Sequence, residues 1–223
     1  RAATPDRERA SVGGLSDAPV AETPQSITIL RAATARELGV SSLSSLIRSE
    51  TSVGDSYNTV GYVESLQIRG FLLDNALNYR RDGFAISNHA PMALENKESI
   101  EILKGVSGIQ SGTSAPGGLV NLVVKRPAGT LREVRLEWRE PGSLLVAADL
   151  GETLGTQGEF GLRINLAAEH LDPMVRNTRG RRTLGALAVD WKPAPATLLQ
   201  FEIEDSRQRQ PSVVGYSMLG DRL

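Results

Sequence analysis

The side chains able to do chemistry are few and scattered. A serine nucleophile is available in the Gly-Asp-Ser-Tyr block at 54–57, but acyl transfer needs a histidine base held in place by a carboxylate. The only histidines are His89 and His170, and neither stands in such a setting. Glu98 and Glu101 form a carboxylate pair that would share a face on a helix. Ile100, Ile102 and Leu103 followed by Gly105 read instead as a strand, where i and i+3 point to opposite sides. The sequence has no cysteine, which removes disulfides and thiolate metal sites, and no histidine–carboxylate cluster has metal-ligand spacing. No catalytic or metal-ligating residue is therefore assigned. The most concentrated polar block is Tyr79-Arg80-Arg81-Asp82-Gly83, whose Asp-Gly pair between apolar runs reads as a hairpin turn.

Composition narrows the class. The chain has 223 residues, enough for one or two domains, and 40% hydrophobic content, enough for a core. Its net charge of −1 argues against a general nucleic-acid binder. No apolar run approaches the roughly 18 residues of a spanning helix, so a helical membrane protein is excluded. A β-barrel is not, because barrel strands carry their hydrophobicity in every second residue.

The elements that must position these groups follow in order. Residues 1–14 are charged, rich in small residues and aperiodic, and read as a flexible arm. Residues 23–30 alternate as a strand entered through Pro24. Residues 34–49 read as one helix or two short ones, with Ser41 or Ser42 as N-cap before Leu43, Leu46 and Ile47. Residues 51–63 are polar and glycine-punctuated, and are expected to be a loop. From 66 to 127 short apolar strands alternate with glycines at 70, 83, 105, 112, 117 and 118, which predicts a small mixed sheet with tight loops.

Four segments of this stretch carry a resemblance. They are Leu-Gln-Ile-Arg-Gly-Phe at 66–71, Arg-Arg-Asp-Gly-Phe at 80–84, Glu-Ser-Ile-Glu-Ile-Leu-Lys-Gly at 98–105, and Gly-Thr-Ser-Ala-Pro-Gly-Gly-Leu-Val-Asn-Leu-Val-Val-Lys-Arg-Pro at 112–127. In this order and spacing they resemble the plug domain of TonB-dependent outer-membrane receptors, most closely the ferric-siderophore branch. The resemblance implies an α+β plug at 15–130, a small mixed sheet with short helices. It implies that Tyr79, Arg80, Arg81, His89, Gln110 and Ser111 lie on plug apices that contact the ligand, the arginines suiting an anionic ferric chelate. It also implies plug–barrel ion pairs, with Arg69 and Arg126 facing barrel carboxylates and Glu98 and Glu101 as further charged contacts. Two positions depart from the family pattern. Val106 stands where proline is usual and Ser111 where an aromatic is usual. The N-terminal TonB box has no convincing match, since Ala10-Ser11-Val12 is short and weak.

After Pro127 the alternation becomes cleaner. Val134, Leu136 and Trp138 form one set; Leu144, Val146, Ala148 and Leu150 a second; Phe160, Leu162, Ile164, Leu166 and Ala168 a third; Gly185, Leu187, Val189 and Trp191 a fourth; Leu199, Phe201 and Ile203 a fifth. Turns are expected at 141–142, 151–158, 171–182 and 192–196. Residues 131–223 thus read as the first antiparallel strands of a transmembrane β-barrel, one face to lipid and one to the lumen. Five strands cannot close a barrel, and an open edge is untenable in lipid, so the chain is expected to be the N-terminal part of a longer receptor whose signal peptide has been removed.

The reading implied by the resemblance is TonB-energised uptake of a ferric siderophore across a Gram-negative outer membrane, the plug facing periplasm and barrel lumen. The expected partners are the chelate, TonB with its inner-membrane energising partners, and outer-membrane lipid. No cofactor is expected, because the iron belongs to the ligand, and no nucleic acid. The alternatives are another TonB-dependent cargo such as cobalamin, haem or an oligosaccharide, or a soluble plug-like periplasmic binding module.

Overall fold

The computed structural model describes residues 10, 19–40, 42–105, 114–139 and 141–212. Its strands are β1 (Ser26–Arg31), β2 (Val53–Tyr57), β3 (Ser65–Ile68), β4 (Phe71–Leu72), β5 (Tyr79–Arg81), β6 (Phe84–Ala85), β7 (Lys97–Lys104), β8 (Gly118–Val124), β9 (Leu131–Arg139), β10 (Ser143–Leu154), β11 (Phe160–Leu171), β12 (Gly180–Ala194) and β13 (Thr197–Arg209). Two short α-helices, α1 (Ala32–Glu37) and α2 (Leu43–Leu46), lie between β1 and β2.

The first sheet has the order β1-β7-β8-β5-β6, in which β5 runs parallel to β8 and the other pairs are antiparallel. Its centre is β7 and β8, the two apolar runs, and Ile100 and Ile102 on β7 and Val120 and Leu122 on β8 are all buried. Leu43 and Leu46 of α2, with Ile47 just beyond it, close over this face together with Leu66 and Ile68 of β3. Ser42 caps α2, its Oγ accepting from the Ser45 amide at 3.2 Å, which satisfies one of the free N–H groups of the first turn. The β5–β6 turn falls at Asp82-Gly83, both with positive φ (47° and 83°), and the Asp82 carboxylate accepts from the Val124 amide at 2.9 Å. Gly118 is needed for close approach. A Cβ there would lie 1.9 Å from the Leu103 carbonyl oxygen, and its φ is +140°.

A second sheet, β2-β3-β4, covers part of the first. It corrects the reading of residues 51–63 as loop, because Val53–Tyr57 is a strand paired antiparallel with β3. Only Val53 of this strand is buried. An edge strand held by backbone hydrogen bonds needs no apolar alternation, so the polar Gly-Asp-Ser sequence hid it.

The third sheet is an antiparallel meander, β13-β12-β11-β10-β9. Its strands are longer than the turn residues suggest. β10 passes through Gly151, which pairs with both Leu131 and Arg163, and continues to Leu154. β12 runs to Ala194, with Pro193 inside a register shift between Trp191 and Ala194 where no ladder hydrogen bond is required of it. The polarity of this sheet is inverted relative to a soluble one. Val134, Leu136, Trp138, Phe201 and Ile203 are exposed on the outer face. The inner face combines small residues, among them Ala147, Ala167, Ala186 and Ala188, with Asp149, Arg163, Glu169, Arg182 and Glu204. An apolar outer face of this extent suits lipid, and the small inner residues let the first sheet approach closely. No helix among the described residues is long and apolar enough to cross a membrane, which says nothing of crossing by strands.

Candidate functional site

Two regions carry the polar chemistry: the seam between the first sheet and the inner wall of the meander, and a cluster of loops at one end of that seam.

The seam is built at the start of β7 and the end of β8, which lie side by side; the Lys125 amide donates to the Asn96 carbonyl at 3.0 Å. From this patch Lys97 Nζ reaches Glu204 at 2.6 Å and Asn96 Nδ2 donates to the same carboxylate at 2.7 Å. Lys125 reaches Asp149 at 2.8 Å, and Arg163 also donates to that aspartate, at 2.8 Å and 2.9 Å. Arg126 donates to Asp190 and to the Val189 carbonyl. One pair has the opposite polarity: Glu95 accepts from Arg182 at 2.5 Å and 3.0 Å, and Arg182 also donates to Glu169, which Arg139 contacts from β9. Arg81 on β5 completes the seam, 3.3 Å from Glu202 and 3.0 Å from Glu204.

Burial shapes these charges. Removal from water pushes the Lys97 ammonium below its ordinary range, and the attraction of Glu204 only partly restores it. For Glu95, burial alone would raise the carboxyl, but the hydrogen bonds and charge of Arg182 hold it below the usual range. A third carboxylate lies within the plug. Glu50 accepts from Lys104 Nζ at 2.9 Å, Thr28 Oγ1 at 3.0 Å and Ser52 Oγ at 2.8 Å, and these donors, Lys104 foremost, hold its pKa at about 2.

The loop cluster joins residues 57–64, 74–78 and 86–92. Asn88 is its hub, its amide donating to the Asn75 carbonyl at 2.7 Å and its Nδ2 to the Glu64 carbonyl at 2.7 Å. The Glu64 carboxylate accepts from the Ser44 amide at 3.0 Å and its hydroxyl at 2.9 Å, and burial pushes its pKa up. Asp74 accepts from the amides of Ala76 and Leu77, so its charge is turned into its own loop. Tyr57 and Tyr62 stand edge to face, centroids 6.0 Å apart, and both are exposed. Tyr62 lines a cavity of about 360 Å³ between these loops and β11 to β13.

The sequence-predicted residues distribute unevenly over this geometry. Tyr79 is fully buried in the core beneath α2 and is not an apex residue; burial raises its phenol to about 12. Its strand pairs with β8, which turns the ring inward. Arg80 is also buried and donates to the Leu77 and Tyr79 carbonyls, capping its own loop. Arg81 faces barrel carboxylates across the seam. His89 is exposed in the loop cluster beside Ser87 Oγ. Gln110 and Ser111 lie outside the described residues.

Among the residues assigned to ion pairs, Arg126 meets Asp190. Arg69 instead donates to Ser26 Oγ at 3.1 Å, inside the plug. Its φ of 52° and the following Gly70 turn the chain back into β4, which lays the side chain over the end of β1. Glu98 is exposed on β7 and Glu101 is buried and accepts from Asn121 Nδ2 at 2.9 Å, on opposite faces as strand geometry requires. Sequence reasoning missed Glu95, Asn96, Lys97 and Lys125 in the seam, and Tyr57, Asn58, Tyr62, Asn75 and Asn88 in the loops. The flanking position of 95–97 and 125 at the ends of two paired apolar strands was the available signal. Among the described residues no group of three or more histidines and carboxylates is arranged to hold a metal ion.

A small mixed-sheet domain moored by charges to the polar wall of a meander with an apolar outer face defines an architecture, a plug beside barrel strands. Comparison with known proteins agrees. Residues 19–119 match the family model of the TonB-dependent Receptor Plug Domain. Over 210 residues the chain is 28% identical to the ferrichrome outer membrane transporter/phage receptor of Escherichia coli K12, covering 90% of this chain and 28% of that protein. It is 37% identical over 118 residues to the metal-pseudopaline receptor CntO of Pseudomonas aeruginosa, covering 51% of this chain and 16% of that one. The structure of BauA, the ferric preacinetobactin receptor of Acinetobacter baumannii, superposes with a TM-score of 0.82 at 23% identity, over 89% of this chain and 30% of that chain. Residues 19–119 are thus similar to the plug domain of TonB-dependent receptors, and the fold of the chain is that of the receptor structures it superposes on. It spans less than a third of the length of these relatives.

Proposed function

We propose that this chain is the plug and first barrel strands of an outer-membrane receptor that takes up a ferric siderophore under TonB control. The observation that carries the reading is the seam. A plug held to the barrel wall largely by ion pairs, with Ala93 packed among Leu145, Ala147 and Ala167, can be released and re-docked, since such pairs contribute little net stability against desolvation. In this reading β9–β13 lie in the outer membrane of a Gram-negative cell, with the outer face in lipid. The chelate arrives at the loop cluster, where Tyr57, Tyr62, Asn75 and His89 meet it. Arg81, Lys97, Lys125 and Arg126 moor the plug. TonB pulls from the N-terminal side, and the chelate passes between plug and wall without any bond in it being made or broken; the iron is cargo.

The similarity to proteins named as ferrichrome, catecholate and preacinetobactin receptors supports the cargo class. The test is growth of an iron-starved strain lacking its own receptors, carrying the intact gene, on a panel of ferric siderophores with and without TonB. Rescue by a chelate that vanishes without TonB is expected. No rescue by any chelate, with the receptor verified in the outer membrane, overturns the proposal.

A further inference from the structure

We infer that the plug binds one proton in its core, on Glu64 Oε2, and that this proton latches the loop end to α2. The inference rests on hydrogen-bond accounting around three side chains, Glu64, Tyr79 and Asn88, which are at most 6% exposed. Glu64 Oε1 is satisfied by the Ser44 amide at 3.0 Å and the Ser44 hydroxyl at 2.9 Å. Asn88 Nδ2 donates to the Glu64 carbonyl at 2.7 Å, which fixes Oδ1 as the accepting end of that amide. Glu64 Oε2, Tyr79 Oη and Asn88 Oδ1 are left buried with no partner at hydrogen-bonding geometry among the described residues. The three are neighbours, because the Tyr79 phenol feels both the Asn88 side chain and the Glu64 charge.

These oxygens share a single hydrogen, the one on Tyr79. With an ionised carboxylate one acceptor goes without a donor, and a charge stays buried beside it, both of which are costly. A proton on Oε2 supplies the missing hydrogen. The carboxyl then donates to the phenol and the phenol to Asn88 Oδ1, so every oxygen is engaged and no charge is buried. Burial favours the same form, pushing the Glu64 carboxyl up against the opposing donors of Ser44, Met92 and Leu43. The ionisable groups packed around the site leave this balance in place. The four residues of α2 are leucines and serines, β5 supplies the Tyr79 phenol, and Tyr62 and His89 are exposed on the loops. Asp74 is turned into its own loop, Arg182 across the cavity is shared by Glu95 and Glu169, and Arg207 and Arg209 line the adjoining cavity. The proton thus ties α2, β5 and the loops at 57–64 and 86–92 together, and its loss lets those loops open. In the siderophore reading this sets how long the loop end stays closed over its ligand as external pH changes; the proton itself does not depend on that reading.

The experiment uses the intact receptor in micelles with no ligand added. Infrared difference spectra across a pH series are expected to show the C=O band of a protonated carboxyl persisting above pH 4.5, the ordinary glutamate value, shifting in heavy water and missing from Glu64→Gln. Amide hydrogen exchange at residues 86–92, corrected for the pH dependence of exchange itself, reads the latch. The stabilisation is fully present below 4.5 and is lost as pH rises towards the folded value, so opening becomes about tenfold more frequent per pH unit over that window. Glu64→Gln, whose amide donates as the protonated acid does, is expected to keep protection flat across the window with His89 still in place. Absence of the band above 4.5, an equal slope in Glu64→Gln, or protection that rises with added sodium or calcium, which would put a cation where the proton is assigned, overturns the inference. Growth rescue by a ferric siderophore in a receptor that lacks the band removes the inference alone and leaves the proposed function standing.

Discussion

Replacing each partner of the Lys97–Glu204 pair separately should have unequal effects. At 2.6 Å the attraction between the two charges is roughly 6 kcal/mol at an effective dielectric of about 20. Desolvation of each ion opposes it by several kcal/mol. Burial lowers the lysine's pKa despite the carboxylate, so for the ammonium the desolvation cost exceeds what Glu204 returns. Lys97→Met removes that cost and keeps the volume, while Glu204 retains Arg81 at 3.0 Å and Asn96 at 2.7 Å. The expected loss is about 1 kcal/mol. Glu204→Gln leaves a buried ammonium facing Arg81, with Glu202 as the nearby anion, and the expected loss is about 3 kcal/mol. Amide hydrogen exchange of the first residues of β7, measured on the intact receptor in micelles, reads both. Exchange should accelerate by about fivefold for Lys97→Met and about a hundredfold or more for Glu204→Gln. Equal acceleration, or a larger effect from Lys97→Met, would refute the argument that Lys97 is the more heavily desolvated partner.

Further outcomes are expected at four positions. Gly118→Ala should lose at least about 3 kcal/mol, because its Cβ would sit 1.9 Å from a backbone oxygen, and the variant receptor should unfold at lower temperature by circular dichroism or fail to assemble. Gly83→Ala, with φ +83° but open space around it, should lose only about 1–2 kcal/mol. The Glu50 cluster should stabilise β1 fully above the ordinary carboxylate value of 4.5 and lose that contribution as pH falls toward 2; Glu50→Gln should remove this acid-side slope in the exchange of β1 amides. Glu64 has the opposite sign, since its raised pKa means that its contribution is present below 4.5 and is lost as pH rises. Glu64→Gln should therefore flatten the alkaline side of the stability profile, and Glu64→Leu should destabilise α2 by about 1–3 kcal/mol by leaving the Ser44 amide and hydroxyl unpaired.

Local rules made much of the architecture legible. The Ser42 cap, the Asp82-Gly83 turn, the strand character of 98–105 and the alternation of β9 to β13 each depend on neighbours within a few residues. The misreadings share one cause. β2 is held by its pairing to β3 rather than by its own side chains. Tyr79 is buried because β8, some forty residues on, runs parallel beside it. Arg69 and Arg126 occupy similar local settings before or after a strand, yet one lies over β1 and the other meets Asp190, sixty-four residues away.

The sequence by itself determined most strands, the Asp82-Gly83 turn and the α2 cap, which face of each late strand is apolar, and through its ordered motifs the resemblance to a receptor plug. Backbone preference and period-two alternation are short-range properties written residue by residue. Only the tertiary structure decided which charges meet across the seam, that Arg80 turns to its own loop backbone while Arg81 meets Glu202 and Glu204, and that Asn88 gathers three loops beside a cavity. A long charged side chain has many partners within reach of its type, and which one it meets is set by how whole sheets dock, a property no local window contains.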